Sequence, residues 1–94
     1  MIKVSVLYAN SDDATFDVDY YKATHMAIVQ RTMKPSRIEV DEGNDGPYVA
    51  AGHLCFDDEA AFAVGMGNSD EALADVPNFT NVTPVMQNST VHPI

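Results

Sequence analysis

The stretch Tyr48–Phe56, YVAAGHLCF, most limits what this chain can fold into. Over nine residues, His53 is its one polar side chain. A strand sends alternate side chains to opposite faces. Here Val49, Ala51, His53 and Cys55 share one side, and Ala50, Gly52, Leu54 and Phe56 the other. Both sets are largely apolar, so this strand needs cover on two sides. The bulky pair Leu54 and Phe56 marks the side expected to meet helices.

The remaining segments supply the partners. IKVSVLYA (2–9) is rich in β-branched residues and alternates, with Ile2, Val4, Val6 and Tyr8 on one face. After the polar loop NSDDAT (10–15), Asp17 can cap a helix and Phe16 can staple onto Tyr21. That helix is expected to reach about Thr32 and to end at Lys34 and Pro35. SRIEVDEG (36–43) reads as a more exposed strand, joined to the next by the turn NDGP. DDEAAFAVGM (57–66) opens with acids suited to a helix start, and Gly67 or Asn68 can close it. SDEALADV (69–76) adds a further helical turn or two. The final stretch 78–94 holds a strand that Pro84 interrupts, which points to an edge or a bulge.

The order β-α-β-β-α-β defines a ferredoxin-like α+β fold. One domain spanning 1–94 is expected, with a four-stranded antiparallel sheet and both helices on one face. The opposite face reads as mostly apolar, and an exposed face of that kind implies an interface. Two such sheets packed together would leave a cavity between sheets, or between sheet and helices.

Charge narrows the partners. The net charge is −9, and the five basic residues are scattered. Phosphate binding needs clustered Lys and Arg, so neither nucleic acid nor an anionic membrane surface is an expected partner. Cys55 stands alone, so no intrachain disulfide can form. No run approaches the roughly 20 apolar residues of a membrane helix, and no secretory signal pattern is visible. A soluble, cytoplasmic protein is the expectation. No spaced acid pair, Gly-rich phosphate loop or HExxH pattern is present.

MIKVSVLYAN, FDVDYYKATHMAIV, DGPYVAAGHLCFDDEAAF and DVPNFTNVTPV together resemble the EthD family, whose name comes from ethyl tert-butyl ether degradation. The most specific pieces are Tyr20-Tyr21-x3-His25-Met26 and Asp75-x2-Asn78-Phe79-Thr80. The likeness covers nearly the whole chain, and it extends to small EthD-like proteins of pigment and polyketide pathways. It implies a dimeric α/β barrel, a homodimer joined through its sheets, and a pocket near His25. Members of the family often carry Pro after the His-Met pair. Ala27 stands there in this chain, which is expected to leave the helix unkinked.

Chemistry centres on His25. One helical turn from Tyr21, it shares a face with that phenol. A neutral imidazole can take or give a proton near neutral pH, and Tyr21 could orient it or hold a substrate carbonyl. The bland alternative is a packed imidazole bonded to backbone. Four more positions are candidates for binding a ligand: Tyr8 and Asn10 at the end of the first strand, and Asn78 and Thr80 in the loop before the last strand. These four could equally be a rim aromatic, a turn residue and caps of their own loop. His53, among small neighbours, either meets a ligand or makes one hydrogen bond at an interface. Cys55 reads as a small core residue and His92 as exposed. No metal and no cofactor are expected.

Three functions fit these residues. The first is a cofactor-free enzyme or accessory factor acting on an apolar or aromatic metabolite, by cyclisation, dehydration, condensation or isomerisation. The second is a non-catalytic carrier or stabiliser of a pathway enzyme or intermediate. The third is a cofactor-independent monooxygenase.

Overall fold

A computed structural model describes all 94 residues. Strand β1 (Ile2–Ala9) leads into a helical run of three parts. These are α1 (Val18–Tyr20), a π-helical turn (Tyr21–His25) and α2 (Met26–Thr32). Strands β2 (Arg37–Glu42) and β3 (Tyr48–Phe56) form the antiparallel hairpin. Helices α3 (Glu59–Gly67) and α4 (Asp70–Asp75) and a 3-10 turn (Val76–Asn78) precede β4 (Val85–Thr90). The sheet order is β2-β3-β1-β4 with every pair antiparallel, which is the ferredoxin-like arrangement.

The local signals act as their chemistry requires. Asp17 accepts a hydrogen bond from the Tyr20 amide at 3.0 Å, and Asp58 accepts one from the Ala61 amide at 2.8 Å, so both helical runs start on a carboxylate cap. The Phe16 and Tyr21 rings meet at 5.0 Å, as a staple should. The first run ends where Lys34 turns left-handed (φ 55°) just before Pro35. Pro84 sits immediately before β4, which lies at the sheet edge, where a residue without an amide proton breaks no ladder.

The molecule measures 38 × 32 × 19 Å, so its thin direction holds one sheet and one helical layer. The core lies between these layers. Val4, Tyr8, Ala50, Leu54 and Phe56 from the sheet meet Tyr21, Met26, Val29 and Met33 from the first helical run. Leu54 and Phe56 do face the helices, at 4% and 1% exposure. Phe56 fits there because Gly65 of α3 leaves room: a Cβ on Gly65 would stand 2.5 Å from the Phe56 ring.

Two expectations are corrected. The first helical run is not a regular α-helix, because the π turn falls at Tyr21–His25 even without a proline at position 27. The outer sheet face is also not mostly apolar. Strand pairing lays two polar rows across it: Gln87, Ser5, His53 and Glu39, then Ser89, Lys3, Cys55 and Arg37. Apolar surface is confined to Val85, Leu7 and Ala51 in the third row, which Asp41 ends, and to Val49 beyond it. The strand β3 alone is misleading, because its neighbours supply the polar groups.

Candidate functional site

His25 closes the π turn and is 5% exposed. Its Nδ1 lies 3.0 Å from Oδ2 of Asp75, the last residue of α4. The other carboxylate oxygen accepts the Tyr20 hydroxyl at 2.7 Å and the Asn78 side-chain amide at 2.9 Å. In a straight α-helix, positions five apart, such as 20 and 25, point about 140° apart. The π turn, closed by the Met26 amide on the Tyr21 carbonyl, adds a residue to one turn and narrows that angle. Tyr20 and His25 thereby reach the same carboxylate.

Two aromatic rings, themselves 4.9 Å apart, pack together on the imidazole. Tyr21 stacks on it at 5.2 Å with the planes 13° apart, and Phe79 leans on it at 4.7 Å. Burial by itself would raise the pKa of Asp75. The hydrogen bonds from Asn78, Tyr20 and His25, with the charge of His25, outweigh it and hold the carboxyl below its usual range. An ionised carboxylate only accepts, so the Nδ1 that faces it carries a proton, and whenever the imidazole is neutral Nε2 is the nitrogen with the lone pair. Nε2 has no partner in the protein, yet no buried polar side-chain atom lacks one. Nε2 therefore reaches open space, and the space beside His25 is an apolar cleft.

That cleft is a narrow apolar slot with an open mouth. Val4, Val6 and Leu54 of the sheet form one wall, and Val29 and Ala72 of the helices face them. All four methionines after Met1 line it: Met26, Met33, Met66 and Met86. Methionine is flexible and makes favourable contacts with aromatic rings, so such a wall adapts to a flat apolar guest. The polar groups on the lining are His25, Ser69 and the phenols Tyr8 and Tyr21, and no charged side chain lines it. Leu73 and Met86 are 45% and 43% exposed while also lining the cleft, which places its mouth between α4 and β4.

The structure brings together some of the residues singled out in the sequence. His25, Tyr21 and Tyr8 share the cleft. Asn78 stands one step back, on the carboxylate that holds His25. Thr80 is buried and donates to the Thr15 carbonyl at 2.7 Å, which ties the two loops together. Asn10 is exposed, and its amide meets the Pro47 carbonyl at 2.8 Å, away from the cleft. His53 lies on the outer sheet face, between Ser5 and Asp41, on the opposite side of the sheet from His25. The two histidines thus cannot hold one ion together.

Asp75, Phe79 and Tyr20 stand in the two pieces that resemble the family, but the sequence reading gives them no role in the site. A signal existed for Asp75. Most acids of the chain sit at helix starts or in turns, but Asp75 ends α4, where the helix dipole repels a negative charge. An acid in that place needs donors of its own.

The chain is a two-layer α+β domain with a buried His–carboxylate pair beside an apolar cleft between sheet and helices. Solved structures place it more narrowly. An EthD-like protein from Ralstonia eutropha JMP134 is 32% identical, with a TM-score of 0.84, over 94% of this chain and 88% of that one. The chain belongs to the EthD-like family. An EthD family protein from Bacillus halodurans C-125 shares the fold at 16% identity and TM-score 0.67, over 96% of this chain and 99% of that one. HapK from Hahella chejuensis shares it at 14% and 0.61, over 100% of this chain and 97% of that one. No family model matches the sequence, and no curated protein matches it either. No helix is long and apolar enough to cross a membrane.

Proposed function

We propose that this protein binds a small apolar or aromatic metabolite in the helix-side cleft and acts on it without a cofactor, with His25 as the acid/base. One observation carries the reading: Asp75 holds the Nδ1 proton of His25 while Nε2 opens into a cleft that contains no other titratable group except two phenols. A base of that kind needs a fixed tautomer and a dry approach, and both are present. Tyr21 assists by stacking on the imidazole.

The outer sheet face belongs, in this reading, to a second copy of the chain. Leu7, Val49 and Ala51 form its apolar strip, and the flanking rows of opposite charges, among them the ion pair of Arg37 with Glu39, can pair across a twofold axis. The cleft lies on the helix side, so it stays open in such a dimer.

The test starts with native mass spectrometry of the protein purified from its own host. A retained small molecule that His25→Ala loses, with the fold intact by circular dichroism, supports the reading. A molecule held equally well by His25→Ala and released unchanged would favour a carrier. The inert methionine and aliphatic lining suits a carrier too.

A further inference from the structure

We propose that the neighbouring hydroxyls of Tyr8 and Tyr21 anchor a carbonyl oxygen, and that the cleft takes a neutral carbonyl compound with a removable proton on the adjacent carbon. This deepens the reading of His25 as a base and rests on it.

The two rings meet edge to face at 5.7 Å, and both line the cleft. Neither hydroxyl has a hydrogen-bonding partner within the chain, and since no buried side-chain oxygen is left without one, both keep access to the open space they line. Two hydroxyls carry two protons. Each is therefore free to be donated to a ligand. Burial pushes both phenols up, Tyr8 to about 12, so at neutral pH both stay protonated and donate. Gly52 of β3 makes room for this: a Cβ there would stand 2.1 Å from the Tyr21 hydroxyl. No cation lines the cleft to receive a carboxylate or phosphate, so the ligand is uncharged.

Base and anchor complement each other. Tyr21 stacks on His25 at 5.2 Å, so the base and one anchor belong to neighbouring rings that both line the cleft. Nε2 takes the proton from the carbon next to the carbonyl. The C–H pair becomes the new C=C bond, and the C=O π pair moves to oxygen, where the phenol proton holds it. Return of the proton from His25 to the same carbon exchanges or epimerises it, and its return to the γ carbon of a β,γ-unsaturated compound completes a double-bond shift. No oxidant or reductant is consumed.

Two probes that differ only in the carbonyl test this: 2-tetralone and tetralin. Wild type, Tyr8→Phe, Tyr21→Phe and the double variant are each checked for folding by thermal melt, then titrated with both. The expected result is a loss of about tenfold in tetralone affinity in the double variant, with tetralin binding unchanged. Each single variant should fall between, because the surviving hydroxyl still donates. Wild type should also speed deuterium exchange at C1 of 2-tetralone, and both the double variant and His25→Ala should lose that acceleration. Should tetralin bind while tetralone is treated alike by wild type and double variant, or is not exchanged, the anchor is overturned and the apolar cleft stands. If neither probe binds wild type, the cleft reading falls as well.

Discussion

The chain contains two histidine–carboxylate pairs of nearly equal length, and they are not equivalent. His25 and Asp75 meet at 3.0 Å, with side chains 7% and 8% exposed. His53 and Asp41 meet at 2.8 Å, with side chains 17% and 64% exposed. The first pair is surrounded by aromatic rings, and its carboxylate takes three donors. The second lies across the outer sheet face, where water can replace either partner. Distance therefore says little about what a pair contributes, and the surroundings decide it.

Removing the two carboxylates should separate the pairs most clearly. Asp75→Ala strands the His25 Nδ1 proton, the Tyr20 hydroxyl and the Asn78 amide together, and should cost about 3 kcal/mol in urea unfolding. A cost as small as that of Asp41→Ala would mean that burial does not distinguish the pairs. Next in size is Tyr20→Phe, which deletes one of the three donors and should cost about 1 kcal/mol. It should also bring the Asp75 pKa back toward its usual value, which carbon NMR of the carboxyl reads directly.

Acid sharpens the contrast further. The folded chain holds Asp75 ionised at a pH where the unfolded chain has begun to protonate it. Its contribution is thus fully present above about pH 4 and is lost as pH falls through the lowered folded value. Melting curves should show wild type losing its advantage over Asp75→Asn below about pH 4. An advantage that persists in acid would contradict the ionised carboxylate. The smallest effect belongs to the outer pair: Asp41→Ala should change stability by less than about 1 kcal/mol, and salt should shrink even that. A larger loss in the intact protein, dependent on protein concentration, would instead show that a second subunit buries this face.

Much of the fold was legible because it depends on local signals. The alternation in β1 and β3, the caps Asp17 and Asp58, and the stops at Pro35 and Pro84 all act within a few residues of themselves. The candidate site was legible only in part. The one-turn spacing of Tyr21 and His25 was visible, and so was Tyr8 at the strand end. Their partner was not, because His25 and Asp75 are 50 positions apart. The π turn was also hidden. Its i→i+5 bond leaves no mark in a hydrophobic pattern that fits an α-helix as well, and Ala27 stands where a proline would have signalled a break.

By itself, then, the sequence determined the elements, their order, and the absence of any basic surface for nucleic acid, because propensity, capping and charge are properties of neighbouring residues. The tertiary structure alone decided which of two histidines stands in a dry cleft, which of fourteen acids holds it, and which side of the sheet is polar. These are matters of which strands and helices meet. The chain brings them together only when apolar faces far apart in sequence are buried against one another.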